Sequence, residues 1–140
     1  LIGAKGRVER VRVLGPARAE TQVEIAMTEQ FKLGIQPPVR ESGDVEDTPG
    51  ITLEGTHGRV TTAKGVICAM RHVHMHPTDA DYYGVKAGES MKLKIGGPSG
   101  IILEKMLCRV DPSFKLEVHI DTDEGNACNL QPDTPCELVK

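Results

Sequence analysis

Three histidines alternate with apolar residues in the middle of the chain, at His72, His74 and His76. Alternate residues of a β-strand project from the same face, so these imidazoles would point one way while Val73 and Met75 enter the core. Imidazole is the commonest metal ligand among side chains, and zinc takes three or four donors of this kind. The run therefore predicts a metal site, although a solvent-facing polar stripe would show the same pattern.

Further ligands must come from other strands, because one strand supplies only part of a coordination shell. His119 lies opposite the apolar face of an alternating segment at 116–121, and Glu24 lies between two apolar residues. Taken alone, a single histidine or glutamate in a strand is more often an ordinary surface residue. His57, in a glycine-flanked turn, is interpreted as such a surface residue.

Arginines near turns are the candidates for binding an anion, because the planar guanidinium can bind phosphate through two hydrogen bonds. Arg18 follows the Gly15-Pro16 turn that ends a predicted strand, and Arg40 and Arg71 are alternatives. Any one of them is more often a solvated charge. The chain has no GxSxG, P-loop or GxGxxG motif, so nothing indicates a serine nucleophile or a nucleotide cradle.

The composition of the 140 residues excludes several classes of protein. A net charge of −3 and 3% aromatic residues argue against a nucleic-acid-binding protein, which needs a concentrated basic face and stacking platforms. No apolar run approaches the roughly 20 residues that span a bilayer, so we expect no membrane association. Without tryptophan, the core must be built mainly from aliphatic side chains.

The four cysteines indicate free thiols in a reducing, intracellular compartment, because there is neither dense spacing nor a secretory leader. Cys68 and Cys108 lie in apolar, strand-like segments and are predicted to be buried. The close pair Cys128 and Cys136 is the best candidate for an exception.

The hydrophobic pattern predicts a mainly β protein made of β-barrel domains with short capping helices. The predicted strands are 7–14, 21–27 (with Val23, Ile25 and Met27 on one face), 51–53, 59–62, 65–70, the histidine run, 90–95, 101–110 and 115–120. The predicted helices are a turn at 29–33, 79–83 capped by Thr78 and ended by Gly84, and 123–130 capped by Asp123. A polar loop at 40–50 divides residues 1–50, the remainder of a first barrel with its connecting loop, from residues 51–140, a second barrel with the histidine motif.

Four motifs follow one another along the chain: GPxRxxTQVE from Gly15, PVRxSGD from Pro38, RHVHM from Arg71 and HIDTDExNA from His119. In this order they resemble the phosphate propanoyltransferases, also called PduL-type phosphotransacylases. Any one of these would be weak evidence, whereas the ordered set covers nearly the whole chain and is specific.

The resemblance implies the reversible conversion of acyl-CoA and phosphate into acyl phosphate and CoA, with coenzyme A as a substrate. It implies two β-barrel domains with a site for two zinc ions between them. It assigns metal ligation to Glu24, His72, His74 and His119, and phosphate binding to Arg18. Relatives commonly have a small polar residue at the position of His76, which therefore receives no role.

One departure from the family pattern affects the expected metal content. The family has an earlier copy of the histidine motif, Ser-x-Arg-His-x-His, which these 140 residues lack. Because the chain also starts at Leu1 without methionine, we expect that an N-terminal segment with two ligands is missing. The piece alone is then expected to bind less than the full complement of metal and to have poor activity.

The resemblance also implies a homodimer in the cytoplasm or in the lumen of a bacterial microcompartment, with shell or cargo proteins as partners in propanediol degradation. Two alternatives fit the residues themselves: a zinc-dependent hydrolase in which water replaces phosphate, and a non-catalytic barrel in which a metal is structural. Four protein ligands would favour the structural role, and an open coordination position would favour an enzyme.

Overall fold

The computed structural model describes residues 1–15 and 17–140, so Pro16 of the predicted Gly15-Pro16 turn lies outside the described residues. The chain divides into an N-terminal unit, Leu1–Met70, and a C-terminal unit, Arg71–Lys140. This division and the sequence-based one differ over residues 51–70. The assignment of 1–50 and 51–140 to a first and a second barrel stays a prediction.

The N-terminal unit is built from two small sheets. Strand β5 (Val66–Ala69) lies between β1 (Val23–Glu24) and β2 (Val39–Arg40) and is parallel to both, while β3 (Thr52–Gly55) and β4 (Gly58–Thr61) form a hairpin. Helix α1 (Glu29–Leu33) ends at Gly34, whose φ of 72° is the left-handed conformation typical of a helix C-cap. The core is aliphatic and consists of Val23, Ile25, Leu33, Ile51, Val66 and Cys68.

The C-terminal unit contains one sheet of five strands in the order β10-β7-β8-β6-β9, curled into a half-barrel. The strands are β6 (His72–Met75), β7 (Ser90–Ile95), β8 (Ile101–Val110), β9 (Glu117–His119) and β10 (Cys136–Val139). Strand β6 is parallel to β8, and the other pairs are antiparallel. Two helices belong to this unit, α2 (Pro77–Tyr83) and α3 (Thr122–Ala127).

Period-two alternation explains why these strands bury one face. In β7 the residues Met91, Leu93 and Ile95 are buried while the lysines between them are exposed. The core that results also includes Val73 and Met75 from β6, so His72 and His74, which alternate with them, project from the opposite face of that strand.

The structure confirms a mainly β chain with short helices. All four cysteines are free, with Cys136 exposed and the other three buried, so Cys128 and Cys136 form no disulfide. In the described part of the chain, no helix has the length and apolar character that crossing a membrane requires.

The predicted strand at 7–14 is wrong. Within this segment, as the structure describes it, only Arg7 takes part in a β-bridge, with Ile2, and Val11 and Val13 are exposed. Arg10 has a φ of 59°, which interrupts an extended backbone. Alternation indicates an amphipathic strand only where a partner strand is present, and this segment has none in the part of the chain that the structure describes.

The other corrections concern the ends of elements. Met27 is exposed because β1 ends at Glu24, so the alternation does not extend to it. Helix α2 is capped by His76 and not by Thr78, because Pro77 lies at the start of the helix, where its missing N–H costs nothing. Helix α3 is capped by Asp121 and not by Asp123, and it ends before the predicted residue 130. Strand β10 was not predicted.

Candidate metal centre

Neighbouring strands bring three of the predicted ligands together. Strand β9 pairs antiparallel with β6, and this register places His119 directly opposite His72. His74 lies two residues further along β6, on the same face. One potential ligand atom from each of the three side chains lies within 4.8 Å of the others. These three residues are called the histidine cluster below.

The imidazole rings of the histidine cluster are closely packed. The rings of His72 and His119 stack with 4.7 Å between their centroids and 4° between their planes, and the centroids of His74 and His119 are 4.3 Å apart. Burial is the largest cause that lowers the pKa of His74, and the neighbouring His119, His72 and Arg109 act in the same direction while Glu117 opposes them, so that the pKa is about 4. His74 is therefore neutral at pH 7, which is the form of imidazole that binds a metal.

Two ring nitrogens of the histidine cluster have no hydrogen-bond partner among the described residues. The Nε2 atoms of His74 and His119 are both buried and unbonded. The nearest carboxylate oxygen to the latter, Oε2 of Glu117, lies 3.6 Å away, beyond hydrogen-bond distance. A buried polar atom without a partner costs about 1–3 kcal/mol, which a bound cation would offset.

The donor set also fits a metal. Three imidazoles suit zinc, and three protein ligands are typical of zinc sites that keep a position open for substrate. The residues present thus fit a zinc ion.

Two residues beside the histidine cluster were not identified from the sequence. The ring of Phe114 stacks on that of His74, with 4.0 Å between centroids and 15° between planes. Arg109 lies opposite His74 across β6 and β8. In the sequence, Arg109 is notable as an arginine within a largely apolar strand, and Phe114 as one of only two phenylalanines in the chain. Neither observation shows which histidine the side chain lies beside.

The remaining two predicted site residues, Arg18 and Glu24, belong to the N-terminal unit. A hydrogen-bond network joins them, in which the Arg18 guanidinium donates to Ser42 Oγ at 3.2 Å and Ser42 donates to Glu24 Oε1 at 3.2 Å. The Gln22 amide also donates to Glu24 Oε1 at 2.7 Å, and its oxygen accepts from the Gly43 backbone N–H at 2.7 Å. Two motifs of the sequence, one at 15–24 and one at 38–44, therefore meet in this network.

The other titratable candidates have different roles or environments. His76 caps α2, where its Nδ1 accepts from the Thr78 backbone N–H at 3.3 Å. The guanidinium of Arg40 lies 3.6 Å from the Asp44 carboxylate. Cys68 is buried in the core of the N-terminal unit, and His57 is exposed on the β3–β4 hairpin.

Comparison with known proteins gives one consistent result. The family model for phosphate propanoyltransferase matches residues 1–131. A phosphate propanoyltransferase of Thermotoga maritima is 53% identical over 131 residues, which are 93% of this chain and 62% of the relative. One from Alkaliphilus metalliredigens is 48% identical over 140 residues, 100% of this chain and 66% of the relative. One from Planctopirus limnophila is 57% identical over 131 residues and is covered to 54% of its length. The chain thus spans between half and two thirds of the length of these relatives.

Proposed function

Because this chain belongs to the phosphate propanoyltransferase family, we propose that it carries the metal-binding part of a phosphotransacylase. The reaction breaks the bond between the acyl carbon and the sulfur of acyl-CoA and forms a bond from that carbon to a phosphate oxygen. CoA leaves as the thiolate and takes up a proton. The observation that supports this proposal most directly is the histidine cluster with its unbonded ring nitrogens.

We assign the cation to zinc, held by His72, His74 and His119. When bound, it would supply Lewis-acid polarisation of the thioester carbonyl. The packing of the three rings against one another fixes the direction of their nitrogens before any ligand arrives. Preorganised ligands of this kind lower the reorganisation that binding requires.

Arg18 is proposed to bind the phosphate. Its guanidinium contacts only neutral side-chain groups, Gln22 Oε1 at 3.4 Å and Ser42 Oγ at 3.2 Å, and it forms no ion pair among the described residues. Its positive charge is therefore not neutralised and can bind an anion through charge-assisted hydrogen bonds. Glu24, in the same network, is proposed as a further metal ligand, as the resemblance implies, and among the described residues its carboxylate accepts hydrogen bonds from the neutral side chains of Gln22 and Ser42. The resemblance supports two zinc ions in the intact protein.

The finer assignments rest on the family. The acyl donor is propanoyl-CoA or a similar short-chain acyl-CoA, and CoA is a substrate and not a resident cofactor. We propose a homodimer that acts in the cytoplasm, or in the lumen of a bacterial microcompartment with shell or cargo proteins as partners in propanediol degradation. The three-histidine donor set alone would also suit a zinc hydrolase.

The proposal is tested by incubating the protein, as the cell makes it, with propanoyl-CoA in the presence and absence of phosphate. CoA is followed with a thiol reagent, and acyl phosphate is trapped with hydroxylamine. We expect CoA release to require phosphate and to equal the acyl phosphate formed. Release without phosphate would identify a hydrolase, whereas zinc binding with no release from any acyl-CoA would identify a structural metal site.

The role of Arg18 predicts a selective kinetic effect. Arg18→Ala should raise the KM for phosphate about 10- to 100-fold, the range for losing a hydrogen bond to a charged group. The KM for the acyl-CoA should change little. Arg59→Ala, which removes an exposed arginine of the β3–β4 hairpin, is the matched control and should leave both values unchanged. Equal increases in both KM values for Arg18→Ala would contradict phosphate binding by this residue.

A further inference from the structure

An ion pair of the C-terminal unit belongs to two of the sequence motifs yet has no part in the reaction described above. Nε of Arg71 lies 2.6 Å from Oε1 of Glu124, and the two side chains are only 31% and 17% exposed. Among the ion pairs of the described residues this one is the most buried. Arg71 also donates from Nη1 to the backbone oxygen of Glu104 in β8, at 3.1 Å.

The second carboxylate oxygen of Glu124 has its own structural partner. Oε2 accepts from the backbone N–H of Asp121 at 3.0 Å, and Asp121 Oδ1 accepts from the backbone N–H of Glu124 at 2.8 Å. This reciprocal pair is a capping box that begins helix α3. Glu124 therefore connects Arg71 to the first turn of α3 through a single carboxylate.

The ion pair joins the two chain segments that carry the histidine cluster. Arg71 immediately precedes His72 in β6, and α3 begins three residues after His119, the last residue of β9. Strand β9 is three residues long and lies at the edge of the sheet, bonded on one side only. The final residue of such a strand frays readily, because few backbone hydrogen bonds hold it in place.

We propose that Arg71 and Glu124 are positioning residues that hold His119 in register with His72 and so set the metal affinity of the histidine cluster. The pair ties the exit of β9 to the entry of β6, at the end of the short ladder where His119 lies opposite His72. This inference rests on the proposed metal site, and it adds a means by which residues that touch no metal control its binding.

The charge of Arg71 makes this role distinguishable from simple electrostatics. Removing a positive charge next to a cation site should strengthen metal binding if only Coulomb repulsion matters. If Arg71 positions the ligands, removing it should weaken metal binding. Arg71→Gln is therefore the decisive variant, since the two explanations predict opposite signs.

The test measures Co²⁺ and Zn²⁺ affinity of the full chain by competition with a chelator, with the visible spectrum of bound Co²⁺ as a second readout. Arg71→Gln should weaken binding about tenfold, the lower end of the range for residues that orient metal ligands. Glu124→Gln should do the same, because glutamine keeps the capping box but removes the charge. The double variant should be no weaker than either single one, because both remove one interaction. Arg71→Lys should recover part of the loss.

Glu137→Gln is the matched control, because it removes an equal charge from the exposed Lys94–Glu137 pair at the other edge of the sheet. It should leave metal affinity unchanged. The inference is overturned if Arg71→Gln binds Co²⁺ as tightly as the wild type or more tightly. If Arg71→Gln does not fold, unchanged affinity in Glu124→Gln overturns it instead. A wild-type chain that binds neither metal would reject the metal site itself, and the positioning role with it.

Discussion

At the scale of single residues, the histidine cluster combines two properties that seldom occur together in an ordinary surface patch. Its rings stack on one another and on Phe114, and two of its ring nitrogens are buried without a partner. The lowered pKa of His74 follows from the same packing, since burial and adjacent cationic groups both disfavour the charged ring. A site of this kind binds a cation without first having to release a proton from His74 at pH 7.

Replacing His119 by alanine should abolish tight metal binding, whereas replacing His76 should not. His119→Ala removes one of three ligands and is expected to lower zinc affinity by more than about 100-fold, beyond the range seen for residues that only orient ligands. His76→Ala is the matched control, because it removes an imidazole that caps α2 and lies outside the cluster. It should leave zinc affinity unchanged and lower the free energy of unfolding by about 1 kcal/mol, the usual effect of losing an N-cap.

Zinc titration and urea unfolding of both variants provide the two measurements. A loss of zinc affinity in His76→Ala as large as that in His119→Ala would show that the cluster has been assigned to the wrong histidines.

Strand alternation explains why His72 and His74 could be placed on one face from the sequence. It could name His119 as a candidate but could not place it beside His72, because only the register of β9 on β6 brings that residue opposite His72. Phe114 and Arg109 were missed for a related reason. Their positions beside His74 depend on which strands are neighbours, and one strand's pattern does not contain that information.

At the scale of elements, the sequence predicted long strands more accurately than short ones. The residues at which helices begin and end were predicted least accurately. Strand β7 alternates over six residues, so period two identifies it. Strand β8 does not alternate, and its ten residues are recognised from their apolar content. The same alternation at 7–14 leads to no strand, because no partner strand lies beside it in the described residues. Caps were misplaced by two residues at Thr78 and Asp123, since several polar residues near each helix start can accept a backbone hydrogen bond.

Strand β1, which carries Glu24, depends on a glycine in the neighbouring chain segment. Gly65 has a φ of 118°, and a Cβ atom there would lie 2.3 Å from the backbone oxygen of Thr21. Its own backbone oxygen accepts from the Val23 N–H at 2.8 Å, and its N–H donates to Thr48 Oγ1 at 2.9 Å. Gly65→Ala should therefore push β1 away from β5 and lower the free energy of unfolding by roughly 2–4 kcal/mol.

Gly55→Ala is the control for that substitution, because Gly55 has open space around its Cβ position and no positive φ. Its free energy of unfolding should change by less than about 0.5 kcal/mol, as for most exposed substitutions. Thermal and urea unfolding give both values. Similar stabilities for the two variants would mean that the close approach of Gly65 to Thr21 is not needed to hold β1.

At the scale of the whole molecule, the described residues form a hydrophobic core in each of the two units. The histidine cluster lies beside the core of the C-terminal unit, since Val73 and Met75 of β6 belong to it. The sequence-based division after residue 50 rests on the composition of a polar loop and stays a prediction. The division of a core depends instead on which strands pair, and loop composition does not contain that information.

Removing the metal should therefore lower the local stability of β6 and β9, the strands that carry the histidine cluster. A ligand that binds only the folded state adds stability by mass action, about 2.7 kcal/mol at a concentration 100 times its Kd. In native-state hydrogen exchange of zinc-loaded protein, a chelator should speed exchange of the amides of β6 and β9. The amides of Val66 and Cys68 in β5, bonded to Pro49 and Pro38 at 2.9 and 3.0 Å, are the internal reference and should not change.

The same experiment tests Glu24 as a ligand. The amide of Ile25, the next residue, donates to the backbone oxygen of Ile67 at 3.0 Å and so reports on the end of β1. If Glu24 binds the metal, this amide should become sensitive to the chelator while those of Val66 and Cys68 remain protected, because only the residues next to a ligand lose their anchor. If the amide of Ile25 keeps its protection while those of β6 and β9 lose theirs, the metal is held by the histidines without Glu24. Faster exchange throughout both cores would instead mean that the metal stabilises the chain as one cooperative unit.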